Sequence, residues 1–591
     1  MSSVEQRIAE LRTVLKREGL DGWYINGTDP HQSEYVSSRW RSREWISGFT
    51  GSAGTVLITK TEALLWVDSR YFIQGAQQIG GTSIKLMKLD TENVKDPQSW
   101  MASELPEKSR IGIDGSTLTV SEKAHLDAAF KQRGIELVVC PDYLDEIWAD
   151  RPQIASTPVV DLPNEIAGFS RIQKLTMTRL AMVEKGCNYT LISSLDDIAW
   201  ITNLRSSDVS VHSPVFLSFM LIGTEKAWLF TDPKRFTKKI RLQMEEEFEL
   251  LPYEDAKTTV EGVLTEGDVL YYDPKKLNLN LYEATLKARH VEGRDFTTDL
   301  KASKNETELE GMRRSHLLDG VALVNFLARL DTENGGYDEI EVSTLLQKQR
   351  ERNKACLGEA FSPISGWAEH GAMCHYSATE ESNSRIEGDG LLVLDTGGMY
   401  EFGLTDITRT ILFGKATDEQ KRDYTLVLKG NLALASARFP AGTCGYQLDA
   451  LARQFLWQHG MTFFHGTGHG LGFRLNVHEG PAVINTRAVD VPLKKGMILS
   501  DEPGIYKEGR HGIRIENIVA VREDIKTEFG QFFSFEVLTL CPFERKLIDK
   551  TLLTEAELSM VNNYHRWVYE ELKDLVDDEA KGYLKQATLP L

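Results

Sequence analysis

GLLVLDTGGMYEFGLTDITRTILFG, residues 390–414, consists of two apolar, β-branched runs around a glycine-containing turn. This pattern predicts a β-hairpin. Each run carries one carboxylate, Asp395 or Asp406, and an acid in a plain apolar core would be destabilising. Folding the hairpin about the midpoint between Tyr400 and Glu401 predicts that Asp395 lies opposite Asp406, and a bulge would move this register by one residue.

A second hairpin repeats the arrangement. MILSDEPGIYKEGRHGIRIENIVAV, residues 497–521, has Gly509 as its turn residue, midway between Glu502 and Glu516. We therefore expect these two acids to face each other across the strand pair. Like charges directly opposite each other in a sheet are destabilising, and buried carboxylates need a partner. Both hairpins thus predict a cation nearby.

Histidines concentrate between these hairpins. HGTGHGLG, residues 465–472, contains His465 and His469, and NVHEGP adds His478. The glycine spacing does not match the G-x-G-x-x-G dinucleotide motif, and so many glycines would each cost about 1 kcal/mol in a helix. The segment is therefore predicted to be an extended strand or loop in which other backbone comes close. In a strand, His465 and His469 would share one face.

Four carboxylates and an imidazole form a ligand set that suits Mn, Co, Fe or Zn. Two divalent ions would neutralise the four acids, and in hydrolytic sites such ions lie roughly 3.5 to 4 Å apart. The alternative is that the acids are solvated on exposed hairpins, which is common for any single Asp or Glu.

The 591-residue chain has a formal net charge of −19. Its length exceeds that of one hydrophobic core, so roughly two to four domains are expected. A strongly acidic chain argues against nucleic acid or an anionic membrane as a partner, because proteins that bind them present basic surfaces.

Targeting signals are not visible in the sequence. Residues 1–20, MSSVEQRIAELRTVLKREGL, alternate charged and apolar residues, so neither a signal peptide nor a transit peptide is expected. No apolar run approaches the ~18 residues of a membrane span. The six cysteines are scattered without C-x-x-C spacing, as is typical of thiols in a reducing compartment. A cytoplasmic location is expected.

The first half of the chain contains an internal repeat. RIAEL at 7–11 and RIQKL at 171–175 each open a helix, and the same offset relates VLITKTEALLWVDSRYF, 56–72, to MLIGTEKAWLFTDPKRF, 220–236. This predicts two related α/β domains, residues 1–155 and 156–300. The remainder, residues 301–591, begins with a helix whose capping-box start is TELE and includes a tail at about 546–591.

A family resemblance can now be stated. Asp395, Asp406, His469, Glu502 and Glu516 match the ligand order Asp, Asp, His, Glu, Glu of the pita-bread metallopeptidases, which include methionyl aminopeptidase, prolidase and aminopeptidase P. HGTGHGLG, NVHEGP, SDEPGIY and GIRIENIV resemble aminopeptidase P in its long cytosolic form, and the resemblance covers nearly the whole chain. It implies two creatinase-like α/β domains followed by a pita-bread catalytic domain.

The resemblance also implies a role for each ligand. Asp395 would hold one ion, His469 and Glu502 would hold the other, and Asp406 and Glu516 would bridge both. A hydroxide between the ions would attack the scissile carbonyl, with Glu502 as a proton shuttle. Manganese is the metal that the family implies, and the ligand set also accepts zinc or cobalt.

Further residues surround the substrate in the family. They match His375, within CHYSATEES, together with His465 and His478, which would stabilise the developing oxyanion or the leaving group. Arg514, two residues before Glu516, would orient a carboxylate. Tyr506 would line the proline pocket or simply pack.

The implied reaction is release of the N-terminal residue from small peptides with proline at the second position. Proline lacks an N–H and fixes φ, so peptidases that grip an extended backbone handle Xaa-Pro bonds poorly. The resemblance also implies a homodimer. One departure is Leu404, which replaces a threonine of the family's common DGTTD motif before the second aspartate.

Two competing functions stay open. Prolidase uses the same metal set on Xaa-Pro dipeptides, although it usually lacks the duplicated front half. Some pita-bread proteins have lost their metals and act as binding or scaffold modules, which the intact ligand set argues against. Cys374 beside His375 would be a nucleophile only with a dedicated base and an orienting partner, and none is evident.

Overall fold

The computed structural model describes residues 3–333 and 336–591. The chain forms two compact units. The first comprises the chain up to Pro163 with Phe169–Ser210 and Pro214–Asp299, and the second comprises Asn164–Gly168, Val211–Ser213 and Leu300–Leu591.

The first half of unit 1 is built on a six-stranded sheet. Its strands are β1 (Gly22–Ile25), β2 (Thr55–Thr59), β3 (Ala63–Val67), β4 (Lys85–Lys88), β5 (Arg110–Asp114) and β6 (Glu136–Cys140), in the spatial order β4-β3-β2-β1-β5-β6. The accompanying helices are α1 (Val4–Glu18), α2 (Ser42–Ser47), α3 (Phe72–Gln78), α4 (Pro97–Glu104), α5 (Val120–Phe130) and α6 (Leu144–Ile147). The central strands are buried along their length, as expected for a sheet covered on both faces.

A short strand, β7 (Val160–Asp161), and a short helix, α7 (Asn164–Ala167), follow. The second sheet contains β8 (Tyr189–Ile192), β10 (Phe219–Gly223), β11 (Ala227–Phe230), β12 (Glu249–Leu251), β13 (Val269–Tyr272) and β14 (Arg289–Glu292), in the order β12-β11-β10-β8-β13-β14, while β9 (Leu204–Arg205) pairs with β7. Its helices are α8 (Arg171–Glu184), α9 (Leu195–Thr202), α10 (Lys238–Glu245), α11 (Ala256–Val263), α12 (Leu279–Tyr282) and α13 (Phe296–Ala302).

The predicted repeat is confirmed by the equal strand order of the two sheets. In the β2–β3 hairpin Thr55 pairs with Trp66, and in the β10–β11 hairpin Phe219 pairs with Phe230. Both residues of the second pair lie 164 positions after their counterparts in the first, the offset of the sequence repeat. The two halves therefore share a topology and, in this hairpin, a register.

Unit 2 contains long helices and antiparallel strands. Its helices are α14 (Glu306–Glu333), α15 (Glu339–Glu351), α16 (Asp418–Ala435), α17 (Gly445–Trp457), α18 (Glu555–Leu572) and α19 (Asp578–Ala587). Its strands are β15 (Cys356–Glu359), β16 (Ile364–Trp367), β17 (Gly390–Thr396), β18 (Gly398–Tyr400), β19 (Gly403–Leu404), β20 (Ile407–Phe413), β21 (Arg438–Pro440), β22 (Gly468–His469), β23 (Val483–Ile484), β24 (Ile498–Asp501), β25 (Gly504–Lys507), β26 (His511–Arg514), β27 (Asn517–Thr527) and β28 (Gly530–Val537).

The first hairpin forms, but its predicted register is wrong by two residues. Asp395 pairs with Thr408, not with Asp406. The turn closes later than expected because Tyr400 pairs with Gly403. A buried side chain fixes this turn: the Thr405 hydroxyl lies 2.9 Å from Asp319 Oδ2, and the Tyr400 hydroxyl donates to Asp319 Oδ1 at 2.8 Å.

The second hairpin has the predicted register. Asp501 pairs with Asn517, and Gly504 pairs with Arg514. Glu502 directly follows Asp501 and Glu516 directly precedes Asn517, so the two acids lie opposite each other in this register. Gly509 occupies the turn at φ 68°, a conformation that glycine adopts without strain.

The helices of unit 2 pack their apolar faces around these strands. Leu323, Phe326 and Leu327 of α14 join Leu392 and Leu394 of β17 in one buried cluster. Within the described residues, no helix combines the length and apolar character that a membrane crossing requires.

Candidate metal centre

The five candidate ligands come from the ends of short strands. Asp395 lies near the end of β17, Asp406 directly precedes β20, and His469 ends β22. Glu502 follows β24, and Glu516 lies between β26 and β27. Side chains at strand ends can converge while the ladders behind them stay hydrogen-bonded.

His469 lies at the centre of the cluster. Its Nε2 is 3.4 Å from Asp406 Oδ2 and 3.5 Å from Glu502 Oε1. Its Nδ1 donates to the carbonyl oxygen of Gly470 at 3.0 Å, which leaves Nε2 as the nitrogen that faces the acids. Candidate ligand atoms of Asp406, His469 and Glu516 all lie within 4.8 Å of one another, close enough to hold a metal ion.

Arg514 links the two hairpins. Nη2 donates to Asp395 Oδ2 at 2.6 Å, and Nε donates to Thr408 Oγ1 at 3.0 Å. The Thr408 hydroxyl in turn donates to Glu516 Oε2 at 2.8 Å. Sequence reasoning missed Thr408, although its place two residues after Asp406 puts both side chains on one face of the strand.

Two carboxylate oxygens, Asp395 Oδ1 and Glu516 Oε1, are buried without a hydrogen-bond partner among the described residues. A buried acceptor left unpaired costs about 1–3 kcal/mol, and more if charged. Carboxylate oxygens with one imidazole suit divalent ions such as manganese, cobalt or zinc. The residues therefore fit a metal pair.

Electrostatics lead to the same conclusion. Burial, reinforced by neighbouring carboxylates, raises the pKa of Asp395 and Glu516 above the usual range and that of Glu502 to about 7. Burial lowers the pKa of His469, but the carboxylates of Asp406 and Glu502 outweigh burial and raise it to about 9. Burial and mutual repulsion thus disfavour the charged forms of these acids, and a bound divalent ion would favour them.

The glycines of HGTGHGLG allow close backbone approach, as predicted. A Cβ at Gly468 would lie 2.0 Å from the carbonyl oxygen of Ser500, and a Cβ at Gly470 would lie 2.1 Å from that of Glu479. Ser500 Oγ also accepts from the His469 N–H at 3.0 Å. The strand itself is short, Gly468–His469, so His465 lies before it in a loop.

Other contacts hold His465. Its Nδ1 donates to Gly466 O at 2.7 Å, and its Nε2 lies 2.9 Å from the Tyr506 hydroxyl. Arg514 Nη1 donates to the same hydroxyl at 2.7 Å, so Tyr506 connects His465 to the acid cluster. Arg453 Nη2, from α17, donates to the carbonyl oxygen of His465 at 2.8 Å and so holds the loop.

The two remaining candidate histidines are His478 and His375. The His478 ring lies 4.3 Å from that of His469, nearly perpendicular to it. Its neighbour Glu479 is buried and forms an ion pair with Lys304. His375 is half-buried in the segment that follows a 3-10 helix at Ala368–Ala372.

Sequence comparisons identify the family. The model of metallopeptidase family M24 matches residues 310–523, and that of the C-terminal region of peptidase M24 matches residues 531–591. Creatinase/prolidase N-terminal domains match residues 7–147 and 150–308. A probable Xaa-Pro aminopeptidase P of Paracoccidioides brasiliensis (strain Pb03) is 38% identical over 612 residues, covering 99% of both chains. The chain belongs to the aminopeptidase P branch of metallopeptidase family M24.

Other members of the aminopeptidase P branch agree. A probable Xaa-Pro aminopeptidase P of Neurospora crassa is 38% identical and covers 97% of this chain and 87% of its own. The solved X-prolyl aminopeptidase of Caenorhabditis elegans, described as a cytosolic enzyme with a di-nuclear active site, has a TM-score of 0.95 and 32% identity over 100% of both chains. The predicted fold, two creatinase-like domains and a pita-bread domain, is thereby confirmed.

A dipeptidase matches less of the chain than the aminopeptidase P relatives do. The Xaa-Pro dipeptidase of Bacillus anthracis has a TM-score of 0.51 at 26% identity and covers 64% of this chain but 99% of its own.

Proposed function

We propose that this chain is an Xaa-Pro aminopeptidase, which releases the N-terminal residue from peptides with proline second. The observation that carries the proposal is the pair of buried, unpaired oxygens, Asp395 Oδ1 and Glu516 Oε1, inside a cluster of acids. They lie in a chain whose full-length relatives are named Xaa-Pro aminopeptidase P.

The proposed ligand assignment is as follows. Asp395 would hold one ion, His469 and Glu502 would hold the other, and Asp406 and Glu516 would serve both. When bound, two divalent ions supply Lewis acidity and lower the pKa of a water to about 7, which provides the proposed hydroxide nucleophile. Manganese is the proposed metal, with zinc or cobalt as alternatives.

The chain's own residues handle protons and orientation. Glu502 is the proposed proton shuttle, and Ser500 donates to its Oε1 at 3.0 Å, which fixes the direction of that carboxylate. His375 and His478 are proposed to stabilise the developing oxyanion or to hold the leaving proline nitrogen. Arg514 orients Asp395, while Tyr506 and His465 line the substrate side.

The broader setting is also proposed. The substrates are small peptides, the location is the cytoplasm, and the assembly is a homodimer, with neither nucleic acid nor a membrane as partner. The proposed domain boundaries are residues 1–155, 156–300 and 301–591, with the tail at about 546–591. The Caenorhabditis elegans relative supports the location, since it is described as cytosolic.

Prolidase activity is the second candidate, because the Bacillus anthracis dipeptidase shares part of the fold. Its chain leaves about a third of this one unmatched, whereas the aminopeptidase P relatives match both sheets of unit 1. A metal-free scaffold is disfavoured, since Asp406, His469 and Glu516 offer ligand atoms within 4.8 Å of one another.

Substrate length separates these functions. Metal-stripped protein would be given Arg-Pro-Pro or an Xaa-Pro dipeptide, with and without manganese, beside Asp406→Asn and His469→Ala variants. We expect manganese to restore release of free arginine from the tripeptide in the parent protein, with both variants inactive. Cleavage of the dipeptide alone would indicate prolidase, and absence of both cleavage and metal binding would indicate a scaffold.

A further inference from the structure

Glu339 is a buried acid for which the proposed reaction has no use. It is the first residue of α15, and its exposed fraction is 0%. The helix does not need this side chain as a cap, because Asp338 and Glu341 already form a capping box there. Burying a carboxylate costs free energy unless hydrogen bonds compensate its desolvation, so the partners of Glu339 show which part of the structure it supports.

Four donors surround the Glu339 carboxylate. Oε1 accepts from the Trp367 N–H at 2.7 Å and lies 2.9 Å from His370 Nδ1. Oε2 accepts from the Tyr376 hydroxyl and from the Ser384 N–H, each at 2.9 Å. One side chain therefore holds the beginning, the middle and the end of residues 367–384.

This segment has little regular structure of its own. After the 3-10 helix at Ala368–Ala372, residues 373–384 form neither helix nor strand. Its other support is β26: a Cβ at Gly512 would lie 1.7 Å from the carbonyl oxygen of Gly371, so the two backbones are in direct contact. The segment is thus held between Glu339 and the strand that carries Arg514.

From these contacts we infer that Glu339 is a positioning residue for His375, which directly precedes Tyr376 in the held segment. This inference rests on the proposed function, since His375 is a proposed substrate contact. Glu339 does not touch substrate in this scheme. It acts through the backbone position of residues 367–384.

Glu339→Gln is the sharpest substitution. The amide keeps the shape but replaces one acceptor oxygen with a donor, which would face N–H or O–H groups that also donate. Tyr376→Phe removes one of the four links and is the milder alternative if the glutamine variant does not fold. Glu341→Gln is the matched control, because it lies in the same helical turn, is half exposed and retains the capping function.

A double-mutant cycle tests action through His375. We expect Glu339→Gln to lower kcat on Arg-Pro-Pro about tenfold, with KM changed less, and Glu341→Gln to have no effect. In a His375→Ala background, adding Glu339→Gln should lower kcat no further. If the two losses multiply instead, Glu339 does not act through His375.

Hydrogen exchange gives a readout that is independent of activity and metal. Metal-free Glu339→Gln should show faster amide exchange in residues 368–384, while the rest of unit 2 exchanges as in the parent protein. Unchanged exchange there would overturn the inference. If the parent protein cleaves nothing, the proposed function fails, and the exchange experiment still decides whether Glu339 holds the segment.

Discussion

Arg514 and Asp395 form a buried ion pair between the two hairpins, with Nη2 and Oδ2 2.6 Å apart. The same guanidinium donates to Thr408 and to Tyr506, so three contacts fix its plane. A planar fork of this kind sets the direction of a carboxylate as well as supplying charge. Arg514 therefore orients the acid that we propose as a ligand.

Replacing Arg514 by lysine should lower manganese affinity roughly 10–100-fold, because an ammonium cannot reproduce the three directed contacts. Competition with a chelator measures this affinity directly. Arg510→Lys is the matched control, since Arg510 lies in the same hairpin, is exposed and pairs with Glu419. Equal affinity in the Arg514→Lys and parent proteins would show that this contact does not orient a ligand.

Thr408→Val should weaken metal binding about tenfold while leaving the shape of the site intact. The substitution removes the hydroxyl that donates to Glu516 and accepts from Arg514. Thr410→Val is a suitable comparison, because the Thr410 hydroxyl donates to the carbonyl oxygen of Arg514 and accepts from its backbone N–H, not from its guanidinium. Titration with manganese gives the metal affinity of both variants, and we expect only Thr408→Val to lower it. Equal losses of affinity in the two variants would contradict the role proposed for the Thr408 hydroxyl.

Gly470→Ala should destabilise unit 2 by several kcal/mol, because the new methyl group would lie 2.1 Å from the carbonyl oxygen of Glu479. Gly582→Ala should be neutral or stabilising by up to about 1 kcal/mol, since it lies in α19 with nothing within 4 Å of the new methyl group. Thermal unfolding of the metal-free proteins compares them. A small loss of stability for Gly470→Ala would mean that the backbone after β22 can move away from Glu479.

His565 should make the fold sensitive to mild acid. Burial, aided by the charges of Arg545 and Arg409, lowers its pKa from 6.5 to about 3, and its Nε2 accepts from the Phe543 N–H at 3.1 Å. Between these two pKa values the unfolded chain binds a proton at His565 that the folded chain does not bind. Proton binding therefore favours unfolding below pH 6.5, and the free energy of unfolding falls as the pH drops through this range.

The expected loss is about 1.4 kcal/mol for each pH unit below the unfolded pKa. Urea unfolding of the parent and His565→Gln proteins from pH 7.5 to 4.5 tests it, because other titrating groups are common to both. The difference between their unfolding free energies should change with this slope. A difference that stays constant with pH would show that His565 does not bind a proton on unfolding.

The two hairpins show how far sequence alone can define the site. The register of the second follows from Gly509, which marks the turn, and the alternation of residues on either side. The first differs by two residues because Asp319 of α14 holds Tyr400 and Thr405, and a contact over so many residues leaves no local pattern. The candidate ligands and the register of the second hairpin could be read from the sequence, whereas the register of the first hairpin could not.

The supporting residues were harder to predict than the ligands. Thr408 is an ordinary strand residue in the sequence, and Glu339 resembles any acid in the first turn of a helix. Both gain their importance from distant partners, Glu516 in one case and residues 367–384 in the other. The repeated topology of unit 1 was predictable because similar segments recur in the sequence at a constant offset.

The ion pair between Arg514 and Asp395 joins positions 119 residues apart in the chain. Closing so long a loop is slow relative to forming helices and local hairpins. The acids therefore cannot converge before β26 has been synthesised, and a ribosome-bound chain that has not yet exposed β26 lacks the assembled centre. Metal capture by the complete centre therefore has to wait for β26, long after β17 has emerged.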